Sequence, residues 1–168
     1  MPNDDAPGVG SYASVNGLEM YYEIHGTGEP LVVLHGAYMT IDAMGEVVPE
    51  LAKTRQVIAV ELQGHGRTAD VDRPLSYEQM ADDTAALLRH LGIEQADVFG
   101  YSMGGGVALQ VAIRHPEVVR KLVVASVYYN NDGIYPEVRP RSCRAPAAPH
   151  VRHAVHRGHR PSCESVVF

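Results

Sequence analysis

Gly100-Tyr101-Ser102-Met103-Gly104 lies between an apolar run, Ala96 to Phe99, and an apolar segment that runs from Met103 to His115. The pattern predicts strand, sharp turn, helix. A serine at such a turn is lifted out of the sheet edge, and small residues two positions to either side let the backbone turn without Cβ clashes. Gly100 and Gly104 supply them. The helix that follows points its unpaired N–H groups and positive dipole end at the same spot, which suits an anionic tetrahedral intermediate. Ser102 is therefore the candidate nucleophile, set against the plainer reading of a serine in a glycine-rich helix start.

Upstream, Ser11 to Val15 and Glu19 to His25 are short strand-like runs around Asn16-Gly17, a dipeptide suited to a two-residue hairpin. Gly26 to Pro30 turns the chain into Leu31 to Leu34, a continuous apolar run of the kind expected for a strand covered on both faces, and His35-Gly36-Ala37 follows. Glu46 to Ala52 is a short helix candidate. Gln56 to Val60 is another buried strand, ending in Glu61-Leu62-Gln63-Gly64-His65-Gly66-Arg67, where two glycines demand a loop. Ser76-Tyr77-Glu78-Gln79 matches a capping box, with Ser76 as N-cap and Gln79 reaching back. Met80, Thr84, Leu87, Leu88 and Leu91 recur at helical spacing down to Gly92.

Downstream of the turn, the helix ends at His115-Pro116, since proline disfavours α geometry in the residue before it. Leu122 to Ala125 is a further buried strand. Apolar strands separated by helices predict an α/β fold: a mostly parallel, doubly wound sheet with an N-terminal antiparallel hairpin. No internal repeat is present.

The chain has 168 residues, enough for one domain with a real core, and 45% of them are hydrophobic. No run of 18 or more apolar residues occurs, and Met1 to Gly10 is acidic and polar. No membrane association is expected, and the expected compartment is the cytoplasm. A net charge of -6 argues against nucleic acid as a partner. The charge is unevenly placed: residues 1 to 138 carry 8 Lys+Arg against 19 Asp+Glu, whereas residues 139 to 168 carry 6 Arg against the single Glu164. Both cysteines, Cys143 and Cys163, lie in that last segment, so the redox compartment is not legible from them.

With Leu31 to Met39, Glu61 to Thr68 and Gly100 to Gly106 in order along the chain, the sequence resembles the α/β-hydrolase superfamily. The similarity is to its single-domain esterase, lipase, epoxide-hydrolase and cofactor-free haloperoxidase-like branch. It covers roughly residues 11 to 137, the N-terminal half or slightly more of a usual member. The resemblance implies Ser102 as nucleophile, with the backbone N–H groups of Met103 and Ala37 as oxyanion donors. It implies a small ester-like or hydrophobic substrate and no cofactor. Tyr38 and Tyr101 are candidates for the substrate pocket. His35 and His65 belong, in this resemblance, to structural loop motifs.

The family's acid and histidine follow the nucleophile, on loops after later strands. Past Ser126 the sequence instead gives Val127 to Val138 and then thirty residues rich in Arg, Pro, Ala, His, Ser and Cys. Asp132 is a candidate acid, although Asn131-Asp132-Gly133 is also a plain turn signal. The expected organisation is a disordered N-terminus at 1–10, a partial hydrolase domain at 11–137 and an unstructured tail at 138–168. A reading frame lost near Val138 is the expected cause of the change in composition. Cys143, His150, His153, His156, His159 and Cys163 have the chemistry of zinc ligands, but Pro146, Pro149 and Pro161 oppose a helix that would align them; no metal site is assigned. A sheet ending at its sixth strand would expose an apolar edge, and self-association through that edge is expected. Three readings stay open: ester-type hydrolysis, a non-catalytic binding module on the same fold, and a metal-binding tail on a degenerate scaffold. Perhydrolase chemistry is a variant of the first.

Overall fold

Asn16 and Gly17 both adopt positive φ, 49° and 79°, as a tight turn between antiparallel strands requires. They join β1 (Val9–Val15) to β2 (Leu18–His25), with Val15 opposite Leu18. Next come β3 (Glu29–Leu34), α1 (Val47–Ala52), β4 (Arg55–Val60) and α2 (Tyr77–His90). Then follow β5 (Ala96–Tyr101), α3 (Met103–Arg114), β6 (Val119–Ala125) and a two-residue β7 (Val166–Val167). The computed structural model describes residues 9–127 and 166–167. Asp132 and the cysteine- and histidine-bearing segment 143–163 lie outside the described residues.

The seven strands form one sheet in the order β1-β2-β4-β3-β5-β6-β7. β2 pairs antiparallel with both β1 and β4, while β3, β4, β5, β6 and β7 are mutually parallel. The mixed sheet expected from the sequence is therefore present, with the hairpin at its antiparallel margin. β6 is not left entirely bare: β7 pairs with it at Leu122 and Val123, although the Val123 residue remains 41% exposed.

Period-two alternation divides the core. Val32 and Leu34 of β3, with Ile58 and Val60 of β4, pack with Leu87 and Leu88 of α2 and Val107 and Val111 of α3. Leu31 and Val33 turn to the opposite face and cluster with Val57, Ala59 and Val48 of α1. Continuous apolar strands follow from helices on both faces.

Helix α2 begins as its sequence requires, with Ser76 Oγ accepting the Gln79 N–H at 3.1 Å. The capping box is only half made. Gln79 donates its side-chain N–H to Asp83 Oδ1 at 3.2 Å, because Asp83 is fully buried and also gathers Asn16 and Arg73. Asp82, on the same helix, receives both Arg114 (2.9 and 2.7 Å) and His115 (2.7 Å) and ties α2 to the end of α3. The Arg114 hydrogen bonds, outweighing desolvation and helped by His115, push its carboxyl down to about 2.

Candidate active site

From β3 the chain passes to β4 on one side, whereas β5 lies on the other. Open α/β sheets bind ligands outside the carboxyl ends of the strands at such a reversal. The His35–Ile41 loop leaves the end of β3 there, and Ser102 follows the end of β5.

Ser102 sits at φ 52°, ψ -114°, a left-handed conformation rare for a residue with a Cβ, and α3 begins at the next residue. Its amide donates to Ala125 O at 2.8 Å and its carbonyl accepts from Gly106 N–H at 3.1 Å. The two flanking glycines have steric reasons. A Cβ on Gly100 would lie 2.1 Å from Gly104 O, and one on Gly104 would lie 2.3 Å from Leu34 O. Helix α3 thus reaches β3 and β5 only without side chains at these positions. Ser102 makes no side-chain cap bond to α3.

The Met103 N–H, first in α3, is among those a helix leaves unpaired. Met103 and Ala37 line one cavity of about 220 Å³. Its other walls are Tyr38, His65, Leu75, Ser76, Tyr77 and Met80. The residues bearing the two expected oxyanion donors therefore line one apolar opening; Ser102, adjacent in sequence to Met103, is not among the lining residues. Tyr38, at φ 60° and fully exposed, is on the rim. Tyr101 is not among the lining residues; its ring lies against the loop after β3, so that a Cβ on Gly36 would come 3.1 Å from it.

His35 is buried and held at both nitrogens. Nδ1 is 2.7 Å from Gly36 O, and Nε2 accepts the Leu62 N–H at 3.1 Å. Burial, with the His65 ring 5.1 Å away, outweighs the Gly36 contact and lowers its pKa from the ordinary histidine value. His65 donates from Nδ1 to Gln63 O at 2.9 Å and borders the cavity. Glu61 is fully buried and receives the Ile41 N–H at 3.3 Å, the Arg67 guanidinium at 2.7 and 3.1 Å, and the Arg67 amide. Burial works to raise the Glu61 pKa, but the Arg67 and Ile41 hydrogen bonds prevail and it lies below the ordinary carboxylate value. The Arg67 guanidinium also stacks 4.0 Å from the Tyr21 ring centroid.

Leu75, Tyr77 and Met80 were not expected at the site. Their signal in the sequence was apolar residues on either side of an N-cap, which equally describes a hydrophobic staple between Leu75 and Met80. Among the described residues no group of three or more His, Cys, Asp or Glu is arranged to hold a metal, and no helix is long and apolar enough to cross a membrane.

Comparison with known proteins bears on the fold and the family. The chain is 39% identical over 124 residues to a 2-hydroxymuconate semialdehyde hydrolase of a Pseudomonas species, covering 71% of this chain and 44% of that protein. It is 36% identical over 115 residues to a soluble epoxide hydrolase of a Corynebacterium species, covering 67% and 39%. Among solved structures, an epoxide hydrolase without ligand superposes with TM-score 0.67 at 34% identity, over 69% of this chain and 41% of that one. A marine microorganism esterase does so with TM-score 0.65 at 34% identity, over 72% and 47%. The chain thus spans somewhat under half the length of these relatives. A family model for the alpha/beta hydrolase fold matches residues 29–145, and the chain belongs to that family.

Proposed function

We propose that the chain carries the nucleophile and oxyanion half of a hydrolase acting on a small ester-like or hydrophobic substrate. The observation that supports this best is the left-handed Ser102 at the head of α3, beside a cavity bordered by both Ala37 and Met103. Ser102 Oγ adds to the substrate carbonyl carbon and loses its proton to solvent. The Met103 and Ala37 N–H groups hold the oxyanion, which collapses to an acyl-serine as the C–O bond to the alcohol breaks and the alcohol oxygen takes a proton from solvent; water then releases the acid. The described residues supply the nucleophile and the oxyanion donors, and the turnover expected from these alone is slow. A preformed oxyanion hole without its triad partners still leaves on the order of 10³-fold acceleration over water.

Hydrolysis of p-nitrophenyl acetate by the chain and by Ser102→Ala tests this reading. The expected outcome is a slow rate lost in the variant; equal rates would remove the serine from the chemistry. Retained binding of a hydrophobic ligand at equal rates would favour the non-catalytic binding module, for which the apolar cavity walls Leu75, Tyr77 and Met80 speak. Asp132 as acid and metal binding by the tail rest on sequence alone.

A further inference from the structure

We propose that His35 and Glu61 are positioning residues that together aim the Ala37 N–H, forming a reciprocal strap between the loops after β3 and β4. This rests on Ala37 as an oxyanion donor. The Gly36–Ala37 peptide bond is trans, so the Gly36 carbonyl and the Ala37 N–H point in opposite directions from one rigid plane. Fixing the carbonyl therefore fixes the donor. Gly36 O is held by His35 Nδ1 at 2.7 Å and by the Met39 N–H at 3.2 Å, which turns the Ala37 N–H away from both, and Ala37 borders the cavity.

A carbonyl only accepts, so Nδ1 carries the proton; a backbone amide only donates, so Nε2, facing Leu62 N–H at 3.1 Å, is bare. The neutral Nδ1–H tautomer of His35 is thereby locked at both ends. The second tie runs the other way: Glu61, at the start of the loop after β4, accepts the Ile41 N–H at the far end of the His35–Ile41 loop, and Arg67 keeps its carboxylate charged and oriented. Each loop thus lends one buried side chain to the backbone of the other. A histidine used as a base would need a free nitrogen, and His35 has none.

The test uses the full chain. Nitrogen-15 NMR of the imidazoles should show His35 protonated at Nδ1 and bare at Nε2. Amide exchange should find Leu62 N–H deprotected in His35→Ala and Ile41 N–H deprotected in Glu61→Ala. In p-nitrophenyl acetate hydrolysis, both variants should lose about tenfold or more in the Ser102-dependent kcat with KM nearly unchanged, as for a displaced oxyanion donor. His35→Asn, which keeps a donor near Nδ1, and Glu61→Gln, which keeps acceptors for Ile41, should each recover part of the loss. An Nε2–H tautomer, or folded variants with unaltered kcat, would overturn the proposal. If the chain and Ser102→Ala hydrolyse equally, the parent reading fails, whereas tautomer and exchange still decide the strap. Should the alanine variants not fold, the wild-type tautomer and the Asn and Gln variants carry the decision.

Discussion

The turn after β5 and the two loops after β3 and β4 meet at one end of the sheet, yet different forces hold them. The Ser102 turn is held by close approach of main chain: Gly100 and Gly104 sit where a Cβ would come within 2.1 to 2.3 Å of a backbone oxygen, and Ser102 N–H reaches Ala125 O. Its shape depends on volume and on φ. The loops are held by buried titratable side chains, His35 and Glu61, each bonded to the backbone of the opposite loop. Their shape depends on protonation. One site therefore has a part sensitive to added atoms and a part sensitive to pH.

The largest expected effect separates them by volume. Gly104→Ala drives a methyl against Leu34 O and His35 O, neither of which is a flexible side-chain end; a loss of about 3 kcal/mol is expected, measured as a lowered urea midpoint at unchanged slope. A midpoint unchanged within error would show that α3 can retreat from β3 and that the turn is not set by close approach.

The next separates them by pH. The folded pKa of His35 lies below its unfolded value, with His65 and the Glu61 carboxylate as the titratable groups facing it. Above about 6.5 the residue is neutral in both states and costs nothing. As pH falls below that value the unfolded chain takes up a proton that the folded chain resists, so stability declines, by at most about 1.4 kcal/mol per pH unit. His35→Asn should flatten this limb in urea titrations between pH 7 and 5. The separate loss expected as pH falls from the ordinary carboxylate range towards about 2, where Asp82 takes up its proton, should survive in that variant. An identical limb in wild type and His35→Asn would detach pH sensitivity from the strap.

The smallest effect sharpens the account of the turn itself. Ser102→Gly removes the Cβ from a residue at φ 52° and should stabilise the chain by about 1 kcal/mol through released strain, read from thermal or urea melting, while abolishing any serine-dependent turnover. A destabilised variant would mean that the side chain supports the turn more than the backbone resists it.

Much of this site was legible because it is local. Glycines two residues either side of Ser102 report the steric need of a strand-to-helix turn, Ser76 reports an N-cap, and Asn16-Gly17 reports a hairpin. What was not legible needed partners far along the chain. Gln79 completes a capping box by spacing, but Asp83, buried against Asn16 and Arg73, draws its side chain instead. Tyr101 sits in the motif beside Ser102, and its ring packs against Gly36 in the loop after β3, a contact that no local spacing announces. Asp97 is an ordinary charge in sequence but lies between Arg55 and Arg120, each 2.8 Å away.

By itself, the sequence determined the alternation of strands and helices, the turn that presents Ser102, and the family, since periodicity and turn chemistry are properties of neighbouring residues. The tertiary structure alone decided that β2 runs antiparallel beside β4, that Ala37 and Met103 border one cavity, and that His35 and Glu61 exchange hydrogen bonds with opposite loops. These relations join residues twenty or more positions apart. They exist only once burial has removed water and left each polar group to find its partner within the fold.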